Sequence, residues 1–312
     1  MVEYINIKEY PVRPVLKQLL ADKTTKKNII FATDAYESFG EGFQKTSPIT
    51  TTNLLGIDAM ALQPRVLKSL AAQQQRTRKN AEVFTPSWIC NKMNNHCDEE
   101  WFGRPDVFNT EDPETHSWKV KGGKIGFPKD KTWQEYVDSR RIEITCGEAP
   151  YIVSRYDTST GEEIPITRRI GILDRKLRIV NENAKDEETW LKWAIRALQS
   201  VYGYEYQGDN LLIARINILM TFTEYLERKW NRKATEEELK KIANIIVWNF
   251  WQMDGITNTI PFGVPEETEQ QIDFFGLIAN PEEKTIQETP VCKIYDWRRD
   301  NSLLFTDLKK GN

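Results

Sequence analysis

The sequence predicts an α/β fold in which parallel strands alternate with covering helices, and three observations lead there. Between residues 141 and 254, short β-prone runs alternate with longer segments of helical period, the order that builds a parallel sheet. Each run ends on or near a carboxylate: Glu143 ahead of Cys146-Gly147, then Glu205-Tyr206, then Asp254-Gly255. The intervening segments gather their apolar residues on one helical face, as helices that cover a sheet must.

Residues 1–60 are mixed, with Thr/Ser/Gly-rich stretches around 38–52 that read as loops. Over 61–80, Arg65, Lys68, Arg76, Arg78 and Lys79 stand among Ala, Leu and Gln, the composition of a basic helix running into a loop. Charge runs of this kind are usually solvated helix faces; the sharper reading is a phosphate-contacting surface. Residues 1–80 are expected as a mostly helical N-terminal region for DNA or partner contact, and 81–312 as the α/β part. The first strand is expected over 141–145. A helix over 187–201 follows, with Trp190, Ala194, Ala197, Leu198 and Val201 on one face. A strand over 202–206 leads into a helix over 209–222, with Leu212, Ile216 and Leu219 at core spacing. Thr235-x-x-Glu238 is a capping box and opens a helix whose apolar face is Leu239, Ile242, Ala243, Ile246 and Val247. A third strand over 250–253 reaches Asp254. The stretch 266–312 carries only weak strand signals.

Composition narrows the function classes. The 312 residues hold 43 Lys and Arg against 46 Asp and Glu, a net charge of −3. That excludes a wholly basic nucleic-acid binder and leaves room for one local basic face. Ten Trp, 11 Tyr and 13 Phe supply enough apolar bulk to argue against disorder. Four Cys in this length are no disulfide scaffold. The apolar segments 211–220 and 242–251 are interrupted by Arg215, Asn244 and Asn249, well short of the ~20 apolar residues that span a bilayer. With no leader pattern in the first residues, the expectation is a soluble, reduced, cytoplasmic protein without membrane contact.

In open α/β sheets, ligands bind beyond the carboxyl ends of the strands. A tight small-residue turn after the first strand brings backbone N–H groups close to a ligand. A carboxylate ending the second strand can accept ribose hydroxyls, and one ending the third can accept an exocyclic amine. Together these describe a site for a nucleoside with a small charged appendage. Only Gly147 is present in the turn, so a nicotinamide dinucleotide is not expected. Cys90, His96 and Cys97 lack the further ligands a structural zinc needs, and no metal is expected. Cys146 has no histidine motif to make it a nucleophile, and Trp248, Trp251 and Trp297 read as core.

Four of these segments carry a resemblance. Ala81-Glu82-Val83-Phe84-Thr85-Pro86, followed by a helix, is similar to the motif that precedes the cofactor turn in adenine-N6 DNA methyltransferases of the gamma order. Glu143-Ile144-Thr145-Cys146-Gly147-Glu148-Ala149-Pro150-Tyr151 resembles their first cofactor motif. Tyr202-Gly203-Tyr204-Glu205-Tyr206, with Ala214-Arg215-Ile216-Asn217 behind it, resembles the second, and Gln252-Met253-Asp254-Gly255 the third. The resemblance spans roughly 81–255 and is closest to the modification subunits of restriction-modification systems. It implies a Rossmann-like, S-adenosylmethionine-dependent methyltransferase fold. By the same resemblance, Thr85 and Pro86 would sit at the cofactor carboxylate, and Glu143 would face its amino group. The turn with Cys146, Gly147, Ala149 and Pro150 would hold its methionine part. Glu205 would take the ribose hydroxyls, Tyr206 would pack on the adenine, and Asp254 with Gly255 would meet the adenine amine. The 58 residues from Gly147 to Glu205 exceed the spacing of compact members, which marks 155–186 as an expected insertion.

The family's Asn/Asp/Ser-Pro-Pro-aromatic tetrapeptide, which holds the target amine of a flipped base, does not occur. Asn280-Pro281-Glu282-Glu283 and Thr259-Ile260-Pro261-Phe262 are partial matches only. No catalytic residue is therefore expected in this chain. The reading that follows is the cofactor-binding subunit of a split adenine-N6 DNA methyltransferase. A second subunit would supply the catalytic loop and complete the sheet, and the heterodimer would engage double-stranded DNA. The alternatives are a non-catalytic S-adenosylmethionine sensor or scaffold, and a self-sufficient methyltransferase with a degenerate loop.

Overall fold

The computed structural model describes residues 4–57, 59–80, 85–263 and 289–309. The N-terminal part is less helical than its composition predicts. It holds short 3-10 turns at Arg13–Val15, Glu37–Phe39, Glu41–Phe43 and Arg65–Leu67, with α1 at Leu16–Leu19 and α2 at Thr51–Leu55. Only α3, Leu70–Asn80, exceeds two turns. Local side-chain bonds compete with longer helices here: Asp22 accepts the N–H groups of Thr24 and Thr25, and Thr50 with Asn53 forms a capping box. In the basic stretch the turn precedes the helix, because Pro64 fixes an extended backbone just before Arg65.

Beyond it come α4 (Ser87–Phe102), the antiparallel hairpin β1 (Asn109–Asp112) and β2 (Ser117–Val120), and α5 (Trp133–Asp138). Then β3 (Arg141–Glu143), α6 (Ile172–Asn183), α7 (Glu187–Gln199), β4 (Val201–Glu205), α8 (Gly208–Trp230), α9 (Glu236–Asn249) and β5 (Phe250–Gln252) alternate as expected. A second hairpin, β6 (Lys293–Asp296) and β7 (Asn301–Leu304), precedes α10 (Phe305–Lys309). Strands β3, β4 and β5 form one sheet in that order, all parallel, with Glu143 opposite Gly203 and Glu205 opposite Gln252. The chain is a mixed α/β protein with a three-stranded parallel sheet.

The helices form for readable reasons. Thr235 and Glu238 exchange the two bonds of a capping box at the start of α9. Asp186 caps α7 through the Thr189 N–H. Helix α8 runs further than its apolar period predicts. Almost every residue from Gly208 to Thr223 is buried, and Asn231 ends the helix in the left-handed region at φ 51°. A helix apolar around its circumference must be covered on all sides. The sheet and α9 cover part of it, and N-terminal side chains such as Leu19, Phe31 and Ile49 share its core. Segment 155–186, expected as an insertion, packs into the core. Its second half is α6, whose Leu173, Leu177, Ile179 and Val180 are fully buried in that same core. Among the described residues, no helix is long and apolar enough to cross a membrane.

The two edges of the sheet differ. On β5 the outward carbonyl of Phe250 accepts Arg215 Nε and Nη2 (2.9 and 2.6 Å), and that of Gln252 accepts the Cys292 thiol (3.4 Å). On β3 the Arg141 N–H reaches Ser200 O, and further on the Cys146 N–H reaches Tyr204 O. By the alternation of a parallel ladder, Ile142 then presents its backbone groups away from β4, while Ile144 follows in the turn, where its carbonyl accepts the Thr145 hydroxyl (2.7 Å). Their side chains are 47% and 65% exposed, and no strand pairs with this edge among the described residues.

Candidate functional site

A cavity of about 1450 Å³ opens at the carboxyl ends of β3 and β4. Thr85, Glu143, Cys146, Gly147, Pro150, Glu205 and Tyr206 line it together, drawn from segments that lie up to 121 residues apart. Pro86, Ala149, Asp254 and Gly255 do not line it. Pro86 caps α4 with its extended backbone, and Ala149 is buried beneath the turn. Asp254 Oδ1 accepts the N–H of Ile256 (2.8 Å) and of Thr257 (3.4 Å), so its carboxylate closes its own turn. Residues 81–84 of the motif before Thr85 lie outside the described residues, as does Asn280-Pro281-Glu282-Glu283.

The turn after β3 is unusual backbone. Thr145, Gly147 and Ala149 all have positive φ, at 46°, 53° and 64°. Left-handed backbone suits glycine and strains threonine, at ~1–3 kcal/mol per residue. Glu205 helps hold it: Oε2 accepts the Gly147 N–H (2.8 Å), while Oε1 accepts those of Tyr206 and Gln207 (2.9 and 3.0 Å). One carboxylate thereby ties the loop after β3 to the loop after β4. Gly203 permits this closeness, since a Cβ there would lie 2.8 Å from the Phe250 ring and 3.2 Å from Cys146.

Glu143 is 8% exposed, and its Oε2 is buried without a hydrogen-bond partner, while Oε1 accepts a long bond from the Tyr151 N–H (3.4 Å), with the Ile152 N–H also acting on the carboxylate. Burial pushes its carboxyl well above the usual carboxylate range. Cys146 is buried as well. That burial, with the charges of Glu143 and Glu205, pushes its thiol up, the reverse of an activated nucleophile. Tyr206 meets the Phe262 ring edge-on at 5.9 Å, and Lys45 Nζ lies 5.6 Å from the Phe262 centroid. Both Phe262 and Lys45 line the cavity, as do Asp34, Gln207 and Asn210. The sequence names Phe262 only as part of a catalytic partial match, and nothing in it signals residues 32–45. That segment reaches the cavity because the Gly208 N–H bonds Phe31 O.

The basic stretch divides. Arg76 is buried and reaches Gln207 (2.8 Å) and Asp209 (3.0 Å). Lys68 Nζ lies 3.1 Å from Asp209, and Tyr36 donates to it at 2.7 Å. Burial alone would raise the Asp209 carboxyl, yet Lys68 and Arg76 hold it well below the usual range. Arg65 donates its Nη2 to Thr77 (2.8 Å). Arg78 alone of the described side chains in this group is exposed, on the rim of the cavity. For Lys79 only the backbone is described. Lys68 and Arg76 are therefore fastenings of the α3 segment onto the start of α8.

Fold and cavity define a mixed α/β protein with one ligand-sized site at the carboxyl ends of a parallel sheet. Comparison with protein-family models, curated proteins and solved structures returned no match.

Proposed function

We propose that the chain is the S-adenosylmethionine-binding subunit of a split adenine-N6 DNA methyltransferase, with a Rossmann-like sheet completed by a second subunit. The observation that carries this reading is convergence. Three of the four motifs contribute cavity-lining side chains to one space at the strand ends, where nucleoside ligands bind in open α/β sheets.

The residues present fit the group in part. The partnerless Glu143 Oε2 offers an acceptor for an ammonium, and Thr85 stands on the same cavity with a hydroxyl for a carboxylate. Tyr206 and Phe262 supply aromatic faces for a purine. Glu205 contributes chiefly by ordering the two loops, and Asp254 lies behind Tyr206, outside the cavity wall. When bound, the cofactor supplies an electrophilic methyl group. What this chain contributes is its orientation and the exclusion of water from its charged end.

The test is calorimetric titration of S-adenosylmethionine into the full chain, alone and with its partner. Because burial makes Glu143 hold its proton to a raised pH, binding an ammonium against it releases that proton. Affinity should rise with pH through that titration. Glu143→Gln should weaken binding about tenfold or more and abolish the pH dependence; Glu205→Ala should weaken it comparably by freeing the turn. Unchanged affinity in both variants would remove the cofactor from this cavity.

For DNA, the exposed Arg78 is the contact this reading retains. Arg78→Glu should flatten the log–log salt dependence of duplex binding by the assembled enzyme by ~0.9, one phosphate's worth. An unchanged slope would return the residue to a solvated helix face.

A further inference from the structure

We propose that a second cavity, enclosed by the β1–β2 hairpin, α6 and the distal end of α8, binds a phosphate-type oxyanion. It measures about 270 Å³ and is lined by five cationic side chains, Lys121, Arg169, Arg175, Arg178 and Arg228, against one carboxylate, Asp174. Three of the cations have acidic partners outside the cavity wall: Arg169 pairs with Glu224, Arg175 with Asp98, and Arg178 with Glu182 at 2.7 Å. Lys121 and Arg228 are exposed at the cavity and make no ion pair among the described residues. The cationic excess therefore faces the cavity.

A second observation concerns the charge buried in the cavity wall. Arg175 is 2% exposed, and its two terminal nitrogens are satisfied by Asp98, Asn91 and Asn95, the last two at 2.8 Å. Its Nε is buried with no partner. The guanidinium is thereby held in the cavity wall with its charge incompletely hydrogen-bonded. An oxyanion in the cavity meets Lys121 and Arg228 directly, because their side chains are exposed there, and feels the buried guanidinium through space. Asp174 is the one opposing group. Its Oδ2 accepts the Ser154 N–H (2.9 Å), while Oδ1 is buried without a hydrogen bond, 4.0 Å from Arg169. Burial raises its carboxyl to about 6, and a bound anion pushes it further toward the protonated form, which removes the one opposing charge.

This site is separate from the first cavity. Asn210, on the first cavity, and Arg228, on the second, lie eighteen residues apart on α8, ~27 Å along its axis. The inference does not depend on what the first cavity binds. The same chemistry fits a free phosphate group or a phosphodiester of nucleic acid.

Two titrations of the full chain at low ionic strength decide it, one with inorganic phosphate and one with a short DNA duplex over a range of salt. The variant Lys121→Glu with Arg228→Glu changes only exposed side chains and should keep the fold, checked by an unchanged melting temperature. Phosphate binding that weakens about tenfold or more in the variant assigns the site to a free anion. Duplex binding whose log–log salt slope flattens by about one in the variant, without phosphate binding, assigns it to a nucleic-acid backbone. Overturning results are phosphate binding equal in both proteins, or no phosphate binding together with identical salt slopes.

Discussion

Methyl transfer to adenine in duplex DNA is expected to be undetectable with this chain alone and to appear when its partner subunit is added. On the proposed reading, the described residues that line the first cavity serve the cofactor; none of them forms an Asn-Pro-Pro-aromatic pocket for a target amine. Without a positioned acceptor the reaction loses an orientation contribution of ~7–11 kcal/mol, a rate factor of ~10⁵ or more. The edge of β3 offers a means of docking. Ile142 and Ile144 are exposed there, and Ile142 turns its backbone groups outward from β3; such edges recruit another strand. Ile142 and Ile144 also line the cavity, so a partner strand at this edge would bring its loop to that cavity. Ile144→Lys should therefore prevent assembly, read by size-exclusion chromatography. The assay is transfer of labelled methyl to DNA by the single chain and by the reconstituted pair. Turnover by the single chain would overturn the split reading. Silence from both, with cofactor bound, would favour a sensor or scaffold.

Replacing Asp209 with alanine is expected to cost ~3–5 kcal/mol of folding stability, a large share of what a domain has. The carboxylate is fully buried at the first turn of α8, where it also meets the helix N-terminus. Its removal strands Lys68 and the buried Arg76 without their anion and takes the acceptor from Tyr36. The measurement is the urea midpoint, wild type against variant. Its pH dependence has a definite sign. The folded carboxyl titrates below its unfolded value of ~3.9. Its contribution is thus present in full above about pH 5 and fades as the pH falls toward the folded value. The variant should show a shallower acid loss. Equal midpoints at neutral pH would mean that the cluster is not a fastening.

How much of this was legible in advance depends on the range of the interaction. The capping box of Thr235 and Glu238, the apolar faces of α7 and α9, and the order of strands and helices arise within a few turns of chain, and local sequence determined them. The grouping of Glu143, the turn at Gly147, and Glu205 was also legible. A parallel alternation places successive strand ends on one side, and the chemistry at those ends can be read in order. The resemblance sharpened that grouping but could not say which oxygen meets which hydrogen.

What the sequence could not determine is how each charge is satisfied. Lys68, Arg76 and Arg78 look alike in a basic run, and only the approach of Asp209 on α8 makes two of them fastenings and leaves one exposed. Asp254 is expected at the adenine; in the fold its Oδ1 caps its own turn through the N–H groups of Ile256 and Thr257, and the residue does not line the cavity. The reach of α8, the open edge on β3 rather than β5, and the cationic cavity joining residues 109 to 228 belong to the same class. Local order follows from propensity and periodicity along the chain. The fate of a charge or a sheet edge is decided by whichever distant segment packs against it, and that contact exists only in the folded molecule.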